Sequence, residues 1–330
     1  MARFRSPSVA TAALLLGFVL AGCAAGRPPA AVVEPSGGWT SAVDRAHPLV
    51  GRVLDVSDDR AVSWDEVAEA VAAADVVLLG EQHDNVDHHR LQQRLLEGMI
   101  AAGRRPAVAF EQLDLEDQAA VDRARASDAA TTSGRAEALA AAVEWDKSGW
   151  PPFDDYRGLF ETALAAALPI RAANLPRRKP GTGTGFLPET CTCPGFSVEA
   201  LEAEIVESHC GYADDRMVAA MVGAQKRRDH AMAAALAPFA PAPGAVLVCG
   251  FGHARRDYGV PLHLAAMAPG LDVVAVAFVE VQEEAGEPAA YAALLHAASL
   301  PFDYVVFTPA ADDEDPCEKF RTGLEKMKAR

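Results

Sequence analysis

Six short apolar runs, at residues 75–80, 106–110, 170–173, 245–250, 273–279 and 304–307, recur along the chain, and only the third carries an internal charge. A strand covered on both faces reads as a continuous apolar run rather than as an alternation. The intervals between the runs hold residues at helical spacing, such as Leu91, Leu95 and Met99 ahead of Gly103. Runs and helices in turn predict an α/β fold, a mostly parallel sheet flanked by helices on both faces. Ser63-Trp64-Asp65-Glu66 reads as a capping box opening a helix of about ten residues. The runs at 75–80 and 106–110 with the helix between them form a β-α-β unit with a right-handed crossover. Further helices are expected at 156–167 and 214–236. Residues 115–142 are charged, Ala-rich and without a strand, so an inserted helical subdomain is expected near 115–150. Residues 176–196 read as a long loop.

The 330 residues carry a net charge of −16, with 50% hydrophobic and 23% charged residues. A disordered or collagen-like chain is excluded by that balance. The acidic excess argues against a nucleic-acid partner, whose phosphates need surplus Lys and Arg.

Residues 1–22 carry Arg3 and Arg5, then an apolar run, and end in Leu20-Ala21-Gly22 before Cys23. This is a secretory signal whose end resembles the bacterial lipoprotein cleavage box, with Cys23 as the lipidated mature N-terminus. Residues 23–45 then serve as a lipidated tether, 46–320 as the α/β domain and 321–330 as a tail. The remaining chain is more acidic still, so membrane attachment falls to the acyl chains on Cys23. By resemblance to enteric lipoproteins, Ala24 rather than Asp after the cysteine implies the outer membrane, on its periplasmic face, in a Gram-negative bacterium.

Export permits disulfides. Besides Cys23 there are Cys191, Cys193, Cys210, Cys249 and Cys317, an odd number, so at least one is unpaired. Cys249 lies in an apolar run and is expected to be a buried free thiol. The other four pair in one of three ways, or Cys191, Cys193, His209 and Cys210 form a zinc site whose spacing departs from the usual two-pair finger.

Four polar clusters follow the apolar runs, at the strand ends where open α/β sheets bind ligands. They are Gly80-Glu81-Gln82-His83, Glu111, Asn174 and Gly250-Phe251-Gly252-His253. Glu81, His83, Glu111 and His253 together suit either a divalent metal or a general acid and base. Each alone equally suits a helix cap or a tight turn. No phosphate-binding loop, G-x-S-x-G or H-E-x-x-H occurs. His88 and His89 are each a solvated histidine or a haem ligand. Tyr258 offers an oxygen ligand beside Arg255 and Arg256, which suit haem propionates or surface ion pairs. Arg228 with Asp229 is expected to point at the sheet edge, and Met232 into the core.

These residues resemble the ChaN-like haem-binding lipoproteins, within the wider group of Tiki proteases, TraB-type proteins and erythromycin esterases. Leu79-Gly80-Glu81-Gln82-His83-Asp84-Asn85 resembles the family's G-E-x-H-D-N signature, and Phe110-Glu111-Gln112-Leu113 its second motif, here without the usual Gly and Met. Trp145 with Gly149-Trp150-Pro151, Arg228-Asp229 with Met232-Ala233, and Gly252-His253-Ala254-Arg255-Arg256 with Gly259-Val260-Pro261 resemble later blocks. Asp303-Tyr304, Thr308-Pro309 and Asp315-Pro316-Cys317 resemble the tail.

The resemblance implies a lipid-anchored, haem-binding protein of iron or haem acquisition, with a pocket shared by two copies and an outer-membrane haem receptor as a further partner. His88, His89, Arg228, Arg255, Arg256 and Tyr258 are then its candidate haem contacts. The wider group implies instead a metal-dependent or acid/base hydrolase using Glu81, His83, Glu111 and His253. A third reading is an interaction module in which the cluster has lost its chemistry.

Overall fold

The computed structural model describes residues 32–127, 129–176 and 193–328. The expected signal, lipidated Cys23, most of the loop at 176–196, and Cys191 lie outside these residues. No helix among the described residues is long and apolar enough to cross a membrane.

Eight strands form one sheet: β1 (Val53–Asp55), β2 (Arg60–Ala61), β3 (Val76–Glu81), β4 (Ala107–Asp114), β5 (Ile170–Asn174), β6 (Ala245–Gly250), β7 (Val273–Glu280) and β8 (Tyr304–Thr308). Their order is β2-β1-β8-β7-β3-β6-β4-β5. From β8 to β5 every pairing is parallel, and only β1 runs antiparallel to its neighbours β2 and β8. Every residue of β3 is buried, so both faces of the sheet are covered, as its apolar run requires. The six expected strands are all present. The antiparallel edge was not expected, because β1 and β2 are too short to carry a pattern.

The β-α-β expectation holds in direction but not in adjacency. β3 and β4, joined by the helix Val86–Ala101, are separated by β6, which pairs with both. Local pattern names a strand but not its neighbour. β6 suits an interior position, because Ala245–Cys249 is apolar and buried throughout.

The first helix, Trp64–Ala73, opens with the expected capping box, Ser63 accepting from the Glu66 amide while Glu66 accepts from the Ser63 amide. Such a cap contributes about 1 kcal/mol. The long helix Asp215–Leu236 is capped by Asp214. The helical insertion forms Gln118–Arg125 and Thr132–Ala142, and a further helix, Val198–Ser208, follows the segment read as a loop.

Gly80 is dictated by packing. A Cβ there would lie 2.8 Å from Phe251 Cα and 3.0 Å from Ala254 Cβ, so only glycine lets the short helix Phe251–Ala254 settle on β3. That helix turns His253 back over the strand ends.

Cys249 is a buried free thiol as expected. Cys210 pairs with Cys317, closing a sequence separation of 107 residues, and Cys193 is also disulfide-bonded. The zinc alternative is thereby overturned, because Cys193 and Cys210 are spent in disulfides.

Candidate functional site

Parallel register assembles the site. Glu81 at the end of β3 stands level with Gly250 at the end of β6, and Phe110 of β4 with Val248, so Glu111 falls beside the same edge. In a regular strand Glu111 and Gln112 would point to opposite faces. Here four residue steps of β4, from Phe110 to Asp114, pass two steps of β5, from Ala172 to Asn174. This bulge lets both side chains reach one cluster.

Glu81 is 1% exposed. Its Oε1 accepts from His83 Nδ1 at 2.9 Å, Gln112 Nε2 at 2.9 Å and the Tyr156 hydroxyl at 2.6 Å. Its Oε2 faces His89 Nε2 at 3.5 Å. Burial alone would raise its pKa, but His89 and His83 outweigh that and hold it well below the usual carboxylate range. Glu111 accepts from the Gly250 amide at 2.7 Å through Oε2 and faces His253 Nε2 at 3.2 Å through Oε1. It too resists burial and sits at about 2, because His253 and His83 are near and the Gly250 amide donates to it.

On its far side, His253 Nδ1 donates to Asp229 at 2.5 Å, with the Gln225 amide 2.9 Å from the same nitrogen. Burial would lower His253, yet Glu111 and Asp229 outweigh it and raise it to about 10. Burial pushes Asp229 up to about 6, the His253 charge opposing. An imidazolium is therefore held between two carboxylates. His83 closes the arrangement: its Nε2 is 3.8 Å from Glu111, its ring meets Trp150 edge-on at 4.9 Å, and 35% of its side chain is exposed. Burial would lower it, but Glu111 and Glu81 raise it.

Glu81, His83, Glu111 and His253 thus converge as predicted. Their geometry corrects the metal expectation, because the carboxylates and imidazoles are turned onto one another rather than onto a common point. No group of three or more His, Cys, Asp or Glu among the described residues is arranged to hold a metal ion. Asn174 is buried at the end of the edge strand β5 and makes no hydrogen bond to the cluster. Asn85, from the same signature, is structural, capping the helix Val86–Ala101 and donating to Glu280 and the Pro309 carbonyl.

Four of the six candidate haem contacts are buried. His88 is fully buried, accepting from the Gln82 amide through Nδ1 and meeting Thr308 Oγ1 at 2.7 Å through Nε2, and burial lowers its pKa to about 3. His89 is sealed under Tyr156, ring centroids 4.0 Å apart. Tyr258 is 1% exposed beneath Phe196 and the helix Val198–Ser208, and burial raises its pKa. Arg255 is fully buried, bidentate on Asp257 and donating to the Leu295 carbonyl. Arg256 is bound to Asp303. Arg228 is half-buried beside Asp229. Burial takes His88, His89, Arg255 and Tyr258 out of reach of a macrocycle, whereas Arg228 and Arg256 stay partly exposed. Tyr156, Gln112, Gln225 and Trp150 join the cluster without having been predicted, since nothing local distinguishes a site tyrosine from a core one.

No curated protein sequence matches the chain. Among solved structures, the one described as cofacial heme binding to ChaN of Campylobacter jejuni matches with 23% identity and a TM-score of 0.58, over 77% of this chain and 95% of that one. The type III effector HopBA1 matches with 14% identity and a TM-score of 0.43, over 86% and 98%. An erythromycin esterase mutant in its open conformation matches with 11% identity and a TM-score of 0.44, over 77% and 95%. The sequence profile described as "Haem-binding uptake, Tiki superfamily, ChaN" matches residues 67–182 and 187–264, more than half of the chain, and the protein therefore belongs to the ChaN family of the Tiki superfamily.

Proposed function

We propose that this protein binds haem as cargo, as a lipid-anchored protein on the periplasmic face of the outer membrane, and serves haem or iron acquisition. Haem needs an axial His, Tyr, Met or Cys and an apolar surface for the macrocycle. Only seven large hydrophobics are exposed among the described residues, and four of them, Val198, Val206, Tyr212 and Met217, lie on the helices Val198–Ser208 and Asp215–Leu236 and their connection. That concentration is the observation carrying the reading. Tyr212, 57% exposed, and Met217, 45% exposed, are reachable ligands where His88, His89 and Tyr258 are not. Exposed Arg216 suits a propionate. Exposed apolar patches mark binding surfaces, and the cofacial haem binding described for Campylobacter ChaN supports a pocket shared by two copies. Transfer to or from an outer-membrane receptor fits the same role.

Haemin titration of protein lacking residues 1–23, followed by absorbance, tests this. A saturable Soret shift is expected, weakened at least tenfold by Tyr212→Phe and unchanged by Tyr258→Phe. No saturable shift ends the haem reading, and a shift indifferent to Tyr212→Phe removes that residue as ligand.

A second reading rests on a different observation. Of the cluster's ionisable groups, only His83 opens substantially to solvent, backed by Glu81 and facing Glu111. That suits acid/base hydrolysis, with His83 exchanging a proton with substrate or water and Glu81 orienting its ring. An esterase and peptidase screen of wild type beside His83→Ala decides it. Turnover lost in the variant supports the reading, and equal turnover in both rejects it.

A further inference from the structure

The segment that leads from Cys23 into the domain is a fastened strap from Val33 onward. The Val33 amide donates to the Gly51 carbonyl at 2.8 Å, and both Val33 and Trp39 are buried. A stripe of the helix Val86–Ala101, formed by Asp87, Arg90 and Arg94 at spacings of three and four, grips the strap. Buried Asp87 accepts from the Thr40 amide at 2.8 Å and the Ser41 amide at 3.2 Å. Arg90 donates to the Gly38 carbonyl at 2.8 Å and to the Ser36 carbonyl, and Arg94 donates to the Glu34 carbonyl at 3.2 Å. Val32, just ahead of the strap, is 55% exposed. The strap and the exposed helix pair lie on opposite faces of the sheet. The connections β3 to β4 and β4 to β5 step towards the β5 edge, whereas β5 to β6 and β6 to β7 step back. Right-handed crossovers therefore place Val86–Ala101 and Phe153–Ala165 on one face, and Asp215–Leu236 and Val260–Met267 on the other. The packing agrees, Val86–Ala101 lying against Phe153–Ala165, and Asp215–Leu236 against Val260–Met267 and Val198–Ser208.

We propose that the strap turns the outer stripe of the helix Val86–Ala101 towards the bilayer surface, and the helix pair Val198–Ser208 and Asp215–Leu236 away from it. This rests on the lipid anchoring proposed above. Ten residue steps separate Cys23 from Val33, so the chain between them spans at most about 33–36 Å. Bringing the far face to the membrane would carry that chain past helix, sheet and helix, a thickness of about 30 Å. Nearly all of the reach would be consumed, and a fully stretched chain gives up its conformational freedom. A chain free through residue 45 would reach more than twice as far and would set no orientation. Haem bound on the helix pair then faces the periplasmic space, where a protein partner rather than the lipid receives its apolar macrocycle.

Flotation and energy transfer with the full-length acylated protein in phosphatidylethanolamine and phosphatidylglycerol vesicles test the orientation without haem. A donor fluorophore is attached at Glu97→Cys, on the gripping stripe, or at Ala220→Cys, exposed on Asp215–Leu236, with the acceptor on lipid headgroups. Both labelled proteins are expected to float with the vesicles, and transfer from position 97 is expected to exceed that from position 220 at least twofold. Adding Arg90→Ala with Arg94→Ala removes the grip on three strap carbonyls. Transfer from the two positions should then become equal, with unchanged flotation and thermal unfolding showing that the variant is anchored and folded. Equal transfer without those two substitutions overturns the orientation and leaves the anchor standing. A difference that survives them overturns the strap as its cause. Protein that does not float overturns the anchoring and this proposal together.

Discussion

Glu81 and Gly250 are register partners across β3 and β6, so one strand pairing delivers both the carboxylate that orients His83 and the backbone amide that holds Glu111. The site is therefore built on the most buried part of the sheet, and its members answer to packing as much as to chemistry.

Two glycines of this edge are expected to differ in tolerance. Gly80→Ala drives a Cβ to 2.8 Å from backbone of the helix Phe251–Ala254, which cannot swing aside. A loss of roughly 1–3 kcal/mol is expected, as for overpacking generally. Gly250→Ala meets the half-exposed imidazole of His83 at 3.0 Å, which can move, so a smaller loss is expected. Urea unfolding of the pair measures the order, and a Gly250→Ala loss exceeding that of Gly80→Ala would contradict it.

His253→Ala is expected to be far more damaging than its size implies. It leaves Glu111 and Asp229 buried without the imidazolium between them, and uncompensated buried charge costs about 3–5 kcal/mol. Adding Asp229→Asn should restore part of that loss by removing one carboxylate. Simple additivity in chemical denaturation would show that the two residues are not coupled.

Stability should fall on both sides of neutrality. On the alkaline side, His253 holds its proton to about 10 when folded against an ordinary value near 6.5. Its contribution is complete below pH 6.5 and is lost as pH rises through 10. On the acid side, His88 is depressed to about 3, so its contribution is present above 6.5 and is lost as pH falls towards 3. Glu111, held at about 2, adds a further loss as pH falls below its ordinary 4.5. Asp229 opposes these between its ordinary 3.8 and about 6, since the folded state there binds the extra proton. Melting temperature measured from pH 3 to pH 10 shows the bell, and a melting temperature still rising above pH 8 would refute the His253 assignment.

Reducing the Cys210–Cys317 disulfide should release the C-terminal helix Pro316–Lys328 from the connection beside Tyr212, whose ring also meets Phe320 at 5.8 Å. A bridge closing a loop this long typically contributes about 2–4 kcal/mol. Cys210→Ser with Cys317→Ser is expected to lower stability by that order. If it does not, the unfolded chain is already constrained by other contacts.

Strand identity, the capping box, the buried free Cys249 and the convergence of Glu81, His83, Glu111 and His253 on one edge were determined by the sequence alone. Each follows from local hydrophobic pattern or from the rule that polar residues closing a buried parallel strand meet at its carboxyl end. The insertion of β6 between β3 and β4, the bulge that turns Glu111 and Gln112 to the same site, and the burial of His88, His89, Arg255 and Tyr258 were decided only in the tertiary structure. A histidine beside a signature motif reads alike whether it faces solvent or Thr308. The difference is made by residues 220 positions away, because burial and partner are properties of the whole packed chain and not of any window along it.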